Sequence, residues 1–213
     1  MALNSNALAS RLTTSTFLGI TDGDDAILDL ETERLINVAS AIIAKRTKRV
    51  LYKTTHTEYL DGSRTNRIIL KQWPITGGPA DGSTKPEVFL DSKSLFAAGT
   101  EIDIADYYID SDVMIVLVSG SFGKGTRNIK VVYEAGYGNH ALDDIPSDLE
   151  NVCLELVGYL NQKHHDRRLG IETKGKSGES VTYELGIPKY IDELLEPYIR
   201  HEFFASNAPV TNG

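Results

Sequence analysis

The chain is poor in cysteine, and it has neither a long hydrophobic run nor an excess of basic residues. A single cysteine, Cys153, excludes an intramolecular disulfide and is typical of a reducing compartment. No apolar run approaches the ~18 residues that a membrane-spanning helix needs, so we expect no membrane partner. The N-terminal residues lack the basic start and apolar centre of a secretory signal, so we expect them in the mature protein.

The charge balance is acidic, with 22 Lys and Arg against 30 Asp and Glu and a formal net charge of -8. Tight DNA binding depends on cations that displace phosphate counterions, so this balance argues against a protein that grips nucleic acid. The hydrophobic fraction of 41% and charged fraction of 24% are ordinary for a globular protein. A length of 213 residues fits one domain or two small lobes.

Hydrophobic periodicity predicts a long amphipathic helix over residues 24–46. Its acidic residues come early and its basic residues late, as the helix dipole favours. Apolar residues recur there every three or four positions, which places them on one face. The predicted buried stripe consists of Leu28, Leu35, Val38, Ala39, Ile42 and Ile43.

Two further helices are predicted in the last third of the chain. Pro146 fits the first turn of the second long helix, whose apolar stripe runs over residues 149–160 and which ends before Gly170. The Gly/Ser/Lys-rich residues that follow are expected to form a mobile loop with at most a short strand at its end. A third helical piece covers residues 189–204, and Pro197 is expected to bend or end it.

Between the two long helices the period changes to two, which predicts strands. The predicted strands cover residues 51–59, 67–71, 87–90, 105–109, 113–118 and 127–134. Asp61-Gly62 is typical of a hairpin and is expected to join the first two of them. The whole pattern predicts an α+β fold, a small bundle of two long helices plus a C-terminal helix with an inserted antiparallel β lobe.

This pattern also suggests how the chain is divided. Residues 1–49 and 138–202 are predicted to form the helical core, and residues 50–137 the β lobe. Residues 203–213 have no periodicity and are expected to be a flexible tail.

Glycine-rich segments raise two chemical hypotheses, and both fail. The sequence GSFGKGT at residues 120–126 lacks the first glycine of a phosphate loop, and its lysine precedes glycine rather than Ser or Thr. AGYG at residues 135–138 has tyrosine where a nucleophile elbow needs a nucleophile. We therefore expect a turn between strands at the first segment. At the second, Gly136 and Gly138 are expected to permit positive φ and to form a hinge between sheet and helix.

The candidate metal and catalytic groups have ordinary explanations. His164 and His165 point to different faces of a helix, and no third ligand follows at a useful spacing. Cys153 lies on an apolar stripe without a paired base, so a buried and inert thiol is expected. We assign no catalytic residue, no cofactor and no metal ligand.

Several aromatic residues are candidates for binding a partner. Trp73 is equally compatible with a binding anchor and with a cover at one end of the sheet. Tyr198, Phe203 and Phe204 are bulky groups beside the predicted tail, where a lone domain has little core to fill. Docking onto a partner would bury them.

The order of these segments resembles the head-tail connector proteins of tailed bacteriophages, also called adaptor or head-completion proteins. A helix bearing LINVASAIIAKRTKR is followed by a β insertion starting YKTTHTEYLDG, a strand VVYEAGY and a helix starting IPSDLENVCLELVGYL. In that family the strand typically reads Val-x-Tyr-x-Ala-Gly-Tyr, and Pro-x-Asp-Leu opens the next helix. The resemblance covers roughly residues 15–200, and the large β insertion departs from the shorter, mostly helical members.

The resemblance implies a structural protein of the virion neck, present in the host cytoplasm during assembly. Its partners would be the portal protein, a stopper or tail-completion protein, and further copies of itself in a ring that is commonly a dodecamer. DNA would pass through the ring without sequence-specific binding. The C-terminal residues 188–213 would contact the portal, with Tyr198, Arg200, Phe203 and Phe204 as candidates.

Two alternatives stay open from the sequence. One is another neck or tail component, such as a stopper or tail terminator, although those tend to be smaller and dominated by β structure. The other is a hydrolase, which would need two carboxylates facing each other in a cleft. Separated acidic and basic regions along the helices favour side-by-side packing of identical subunits. We expect a monomer in solution that assembles only on its template.

Overall fold

The computed structural model describes residues 2–21, 26–78, 85–138, 145–165, 173–176, 179–182 and 187–200. The helices are α1 (Arg11–Leu18), α2 (Ala26–Thr47), α3 (Ser147–His165) and α4 (Lys189–Leu195), and a 3-10 turn at Glu196–Tyr198 follows α4. The strands are β1 (Thr54–Gly62), β2 (Arg67–Ile69), β3 (Ile75–Gly77), β4 (Glu87–Leu90), β5 (Tyr107–Asp110), β6 (Met114–Leu117), β7 (Gly125–Ala135), β8 (Thr173–Lys176) and β9 (Glu179–Thr182). The predicted α+β class is confirmed.

Strand β7 organises the larger sheet. It pairs antiparallel with β1 on one side and with β3 and β4 on the other. Its alternate residues Ile129, Val131, Tyr133 and Ala135 are fully buried, which is the period of two that the sequence predicts. A second sheet has the order β2-β6-β5, and both sheets contribute to one hydrophobic cluster.

The predicted hairpin at Asp61-Gly62 was wrong. Strand β1 continues through Gly62 and pairs with β7, whereas β2 pairs with β6 in the other sheet. The Gly62 amide donates to the side-chain Oδ1 of Asn128 at 2.8 Å. A Cβ at Gly62 would lie 1.8 Å from the carbonyl oxygen of Gly123, so glycine is needed there for close approach. In the sequence alone, a glycine that is needed for close approach looks the same as a glycine in a hairpin turn.

Helix α2 contacts α3 through a stripe that differs in part from the predicted one. Leu35, Ile36, Ala39 and Ile43 are buried, as are Thr32, Ser40 and Thr47. Two predicted stripe members are exposed instead, Leu28 by 41% and Val38 by 39%. The difference arises because α2 is apolar on two faces, and periodicity alone does not show which face the subunit buries.

Helix α1 is an element that the sequence analysis missed. Ser10 caps its start by accepting a hydrogen bond from the Thr13 amide at 3.0 Å, and Gly19 ends it in the left-handed conformation at φ +70. Arg11 forms ion pairs with Asp29 and Glu33 of α2 at 3.4 and 3.7 Å. The helix is short and rich in Thr and Ser, so it lacks the extended apolar period on which the prediction relied.

The C-terminal elements differ from prediction in extent. Helix α4 ends at Leu195 and Pro197 lies in the 3-10 turn, which confirms that the proline ends the helix. Strands β8 and β9 form an antiparallel pair. The expected loop was wrong for β8 and for the start of β9, whereas Val181 and Thr182 lie where a short strand was allowed. The predicted helix stop at Gly170 and the predicted tail, residues 203–213, lie outside the described residues.

Two hydrophobic clusters divide the buried apolar residues. One joins α1, α2, α3 and α4 with the N-terminal segment, and the other lies between the strands. The division of the chain into a helical core, a β lobe and a tail stays a prediction. Within the described residues, no helix is both long and apolar enough to span a membrane.

Candidate interaction site at the C-terminal junction

The C-terminal segment meets three other parts of the chain at one place: the residues just after α2, the residues just before β3 and the residues just after β7. We call this place the junction and define it by Arg49, Trp73, Gly136, Tyr137 and Tyr198. From the sequence, Trp73, Gly136 and Tyr198 were predicted to have three different roles. The structure brings them together around Arg49, a residue that the sequence analysis did not single out.

Tyr198 is a core residue of the subunit, so the expectation that it lacks a place in the core was wrong. It is only 7% exposed. Its hydroxyl donates to Oδ2 of Asp148 at 2.6 Å, and its ring lies edge-on to Tyr137 with centroids 5.9 Å apart. Burial, with a further effect of Asp148, raises the pKa of the Tyr198 phenol. Tyr198 therefore fixes the residues around it, just after α4, onto α3.

Arg49 connects the parts of the junction. It is 3% exposed, its guanidinium stacks 3.6 Å from the centroid of the Trp73 ring, and it donates to the backbone oxygens of Trp73 and, at 3.2 Å, Tyr198. Burial lowers the pKa of Arg49, and its Nε has no described partner. The sequence signal was a basic residue just past the predicted helix end, which is usually exposed.

Trp73 thus serves the subunit itself, because its ring lies against Arg49 and its carbonyl accepts from that residue. Its side chain is partly buried. This contact favours the cover at one end of the sheet over the binding anchor.

Gly136 lies where two backbone segments cross. Its φ is +111, and a Cβ there would lie 2.4 Å from the carbonyl oxygen of Tyr52. Its amide donates to Pro74 O at 3.0 Å, and the next amide, that of Tyr137, donates to Leu51 O at 2.8 Å. The predicted positive φ is confirmed for Gly136, which is required for close approach. A hinge at Gly136 and Gly138 stays a prediction.

The remaining predicted interface residues lie at the end of the described chain. The amide of Arg200 donates to Thr47 O at 2.9 Å, so the backbone is tied to the end of α2 up to this residue. Nearby, Arg46 Nη2 contacts Asp192 Oδ2 at 2.7 Å, and this pair lowers the pKa of Asp192 and raises that of Arg46. Phe203 and Phe204 lie outside the described residues.

A buried carboxylate in the β lobe was also missed. Glu58 is 9% exposed, and its Oε1 accepts from the Lys71 amide at 3.0 Å and from the Tyr133 hydroxyl. Its described partners are an amide and a phenol, whereas the hydrolase alternative requires a second carboxylate. The available signal was that most inward positions of β1 are polar, although β1 pairs with β7, whose inward positions are apolar.

The other motifs have structural roles. GSFGKGT connects β6 to β7, with Phe122 fully buried in the β cluster. Cys153 is buried beside Ser40, and no group of three or more potential metal ligands occurs among the residues whose positions are described. His164 lies 3.7 Å from Glu31.

Replacing Arg49 with methionine is expected to lower the free energy of unfolding by about 2–4 kcal/mol, because two buried carbonyl oxygens lose their donor. Arg67→Met, on the exposed side of β2, is the matched control and should change stability by less than about 0.5 kcal/mol. Urea denaturation followed by circular dichroism measures both. Equal stability of the two variants would show that Arg49 does not hold the junction.

Cys153 is expected to resist thiol reagents while the protein is folded. Burial raises the pKa of its thiol to about 12, so little thiolate forms near neutral pH. Labelling at pH 8 should be at least about a hundredfold slower in the native protein than in urea. A Leu95→Cys variant supplies the exposed control, since Leu95 is 74% exposed. Rapid native labelling of both thiols would refute the burial of Cys153.

Comparison with known proteins places these features in a family. The family model described as "Head completion protein" matches residues 12–201. A search of curated proteins found no match to this sequence. The chain is similar in structure to chains from three assemblies, described as the virion of a native gene transfer agent particle, the neck of an empty particle computed with C6 symmetry, and the neck of a native particle computed with C12 symmetry.

These structural matches cover nearly the whole chain. The TM-scores are 0.59, 0.56 and 0.53, at sequence identities of 15%, 17% and 17%. Each match covers 96% of this chain and 95%, 95% and 98% of the other chain. At such identities the likeness shows the shared fold alone. Because the family match spans most of the sequence, the chain belongs to the head completion protein family, as its resemblance to head-tail connectors predicted.

Proposed function

We propose that this protein is a structural component of the virion neck, where copies of it form a ring between the portal and the stopper or tail. The observation that carries this proposal is the family match over residues 12–201. The likeness to neck chains from reconstructions with C6 and C12 symmetry supports a ring, for which we propose twelve copies. The ring extends the channel through which the genome passes.

The charge of the subunit suits a channel of this kind. A formal net charge of -8 per copy makes a ring of twelve strongly acidic. The net negative charge of such a ring opposes tight binding of DNA, so the genome passes without being held. We propose no sequence-specific contact with DNA.

The portal contact is proposed for the segment that follows Arg200, residues 201–213. The junction fixes the chain up to this residue, because Tyr198 is buried and the Arg200 amide is bonded to Thr47. Residues 201–213 follow Arg200 in the chain. We propose that the aromatic side chains of Phe203 and Phe204 in this segment bind the portal. Tyr198 contributes by anchoring the residues that precede this segment, and it does not itself contact the portal.

Reconstitution tests this function. Purified protein is incubated with DNA-filled particles that carry the portal and lack this protein, and the products are imaged by electron microscopy. We expect ring density at the outer end of the portal, and a monomer when the same preparation is measured alone by light scattering. Particles without added density would refute the proposed function, and a stable ring of the free protein would refute assembly on the template.

A further inference from the structure

The exposed side of α2 carries a row of apolar and basic side chains. We call this row the outer stripe, and its members recur every three or four residues: Ile27, Leu30, Arg34, Val38, Ala41 and Lys45. Ile27 is 75% exposed and Leu30 49% exposed. The acidic residues of α2 within Ala26–Thr47 are partly buried, and one of them, Glu31, lies 3.6 Å from Arg34. A helix that is apolar on the side away from its own core is suited to contact another protein surface.

A different surface is formed by α4 and the neighbouring side of α3. We call it the α3–α4 face and define it by Glu155, Tyr190, Glu193, Leu194 and Glu196. Tyr190 and Leu194 are 50% and 48% exposed, and the Tyr190 hydroxyl donates to Oε2 of Glu155 at 3.3 Å. Glu193 and Glu196 are exposed beside them. This face therefore combines apolar groups with an excess of carboxylates.

The outer stripe points away from α3. The inward side of α2 meets α3 where Ser40 Oγ lies 3.8 Å from Cys153 Sγ. Val38 and Ala41 lie roughly half a helical turn from the inward positions Ile36 and Ile43. The α3–α4 face is built mainly on α4 and the 3-10 turn, and it touches α3 through the Tyr190 and Glu155 pair. The two surfaces therefore lie on different helices of one copy.

We infer that in the proposed ring the outer stripe of one copy packs against the α3–α4 face of the next copy. The inference rests on the proposed function, because a closed ring needs two different patches that meet head to tail. The charges are complementary in sign, since Lys45 and Arg34 on the stripe face Glu196 and Glu193, although Arg34 also lies 3.6 Å from Glu31 and Glu193 lies 3.6 Å from Lys189 in their own copies. Apolar groups on both sides supply the buried centre of the contact.

A two-fold contact between outer stripes with the two helices parallel does not fit the same charges. It would place Arg34 against Arg34 and Lys45 against Lys45, and like charges at a contact are unfavourable. Glu31 of the same helix lies 3.6 Å from Arg34 and offsets part of that repulsion, so Lys45 supplies most of it. Because a two-fold contact also closes on two copies and builds no ring, head-to-tail packing is favoured over a symmetric dimer.

Cysteine cross-linking on assembled particles tests the contact. The Val38→Cys/Leu194→Cys double variant is assembled on the portal-bearing particles and treated with a short bis-maleimide reagent. Because Cys153 is buried, it does not interfere. We expect a ladder of covalent oligomers, and covalent dimers only when the two single variants are mixed. Val38→Cys paired with Leu95→Cys in the β lobe is the matched control and should give no ladder.

The outcomes separate this inference from the proposed function. Ring density on the particles without a ladder refutes the contact and leaves the ring intact. Covalent dimers from Val38→Cys alone reveal a symmetric contact and also overturn the inference. Absence of any ring refutes the proposed function first. A second variant, Leu30→Asp/Val38→Asp, should reduce ring occupancy by at least about tenfold while its circular dichroism spectrum stays unchanged.

Discussion

Replacing Gly136 with alanine is expected to lower the free energy of unfolding by about 3 kcal/mol or more. A left-handed conformation costs a side chain about 1–2 kcal/mol, and overpacking adds about 1–3 kcal/mol. Both costs apply, since φ is +111 and the new Cβ would lie 2.4 Å from Tyr52 O. The contacting atom belongs to the backbone, so it cannot move aside as a flexible side chain would.

The control for this substitution is Gly99→Ala. Gly99 also has a positive φ, +89, but a Cβ there meets nothing within 4 Å. We expect a loss of about 1 kcal/mol for this variant, from backbone strain alone. Urea denaturation of the two variants and the parent protein measures the difference. Equal losses at Gly136 and Gly99 would mean that the backbone crossing at the junction adds nothing to the requirement for glycine.

Truncation after Pro188 is expected to unfold the helical core. It removes Ile191 and Leu195, both fully buried, together with Tyr198. Each such side chain contributes about 1.5–3 kcal/mol by burial, and the sum is comparable to the whole stability of a typical domain. The truncation also removes the Asp192 partner of Arg46. Thermal unfolding followed by circular dichroism should show a loss of the cooperative transition.

Truncation after Arg200 is the matched experiment and should have a different result. Every contact of the junction described above is retained, so the unfolding transition is expected to stay within a few degrees of that of the full chain. Binding to portal-bearing particles should nevertheless be lost, because residues 201–213 are the proposed portal contact. A folded protein after the first truncation would contradict the account of the core, and undiminished docking after the second would remove the tail from the portal contact.

Local patterns predicted much of the fold. The strand over residues 127–134 is found at Gly125–Ala135, and the strand over residues 87–90 has the predicted bounds. Helices α2 and α3 were predicted because each has a long apolar stripe and a recognisable start. Such signals lie within one segment, so they can be read without knowing what the segment touches.

The junction could not be predicted in the same way, because its residues are far apart in the sequence. Arg49 contacts the backbone of Trp73 and Tyr198, and nothing local to Arg49 indicates either partner. Tyr198 was predicted to dock onto a partner because it lies beside the predicted tail, whereas its hydroxyl is bonded to Asp148 of α3. Similarly, Gly62 was assigned to a turn, although its requirement comes from Gly123. Tertiary contacts decided each of these cases.

Two parts of the subunit that take part in the proposed assembly are held in place by packing within the subunit. The C-terminal segment is held by the buried side chain of Tyr198 and by the Arg46 and Asp192 pair, so residues 201–213 begin from a defined position. The outer stripe lies on a helix of 22 residues that is packed along its inward face. Surfaces held on packed helices bind partners without a large cost of ordering.

Imaging of the virion neck with and without this protein tests the central claim most directly. Virions that contain it should show a ring of twelve copies between the portal and the next neck protein, into which the fold described here fits. Particles made without it should keep the portal and lack both that ring and the tail. Neck density that is unchanged by removal of the protein, with tails still attached, would contradict the account.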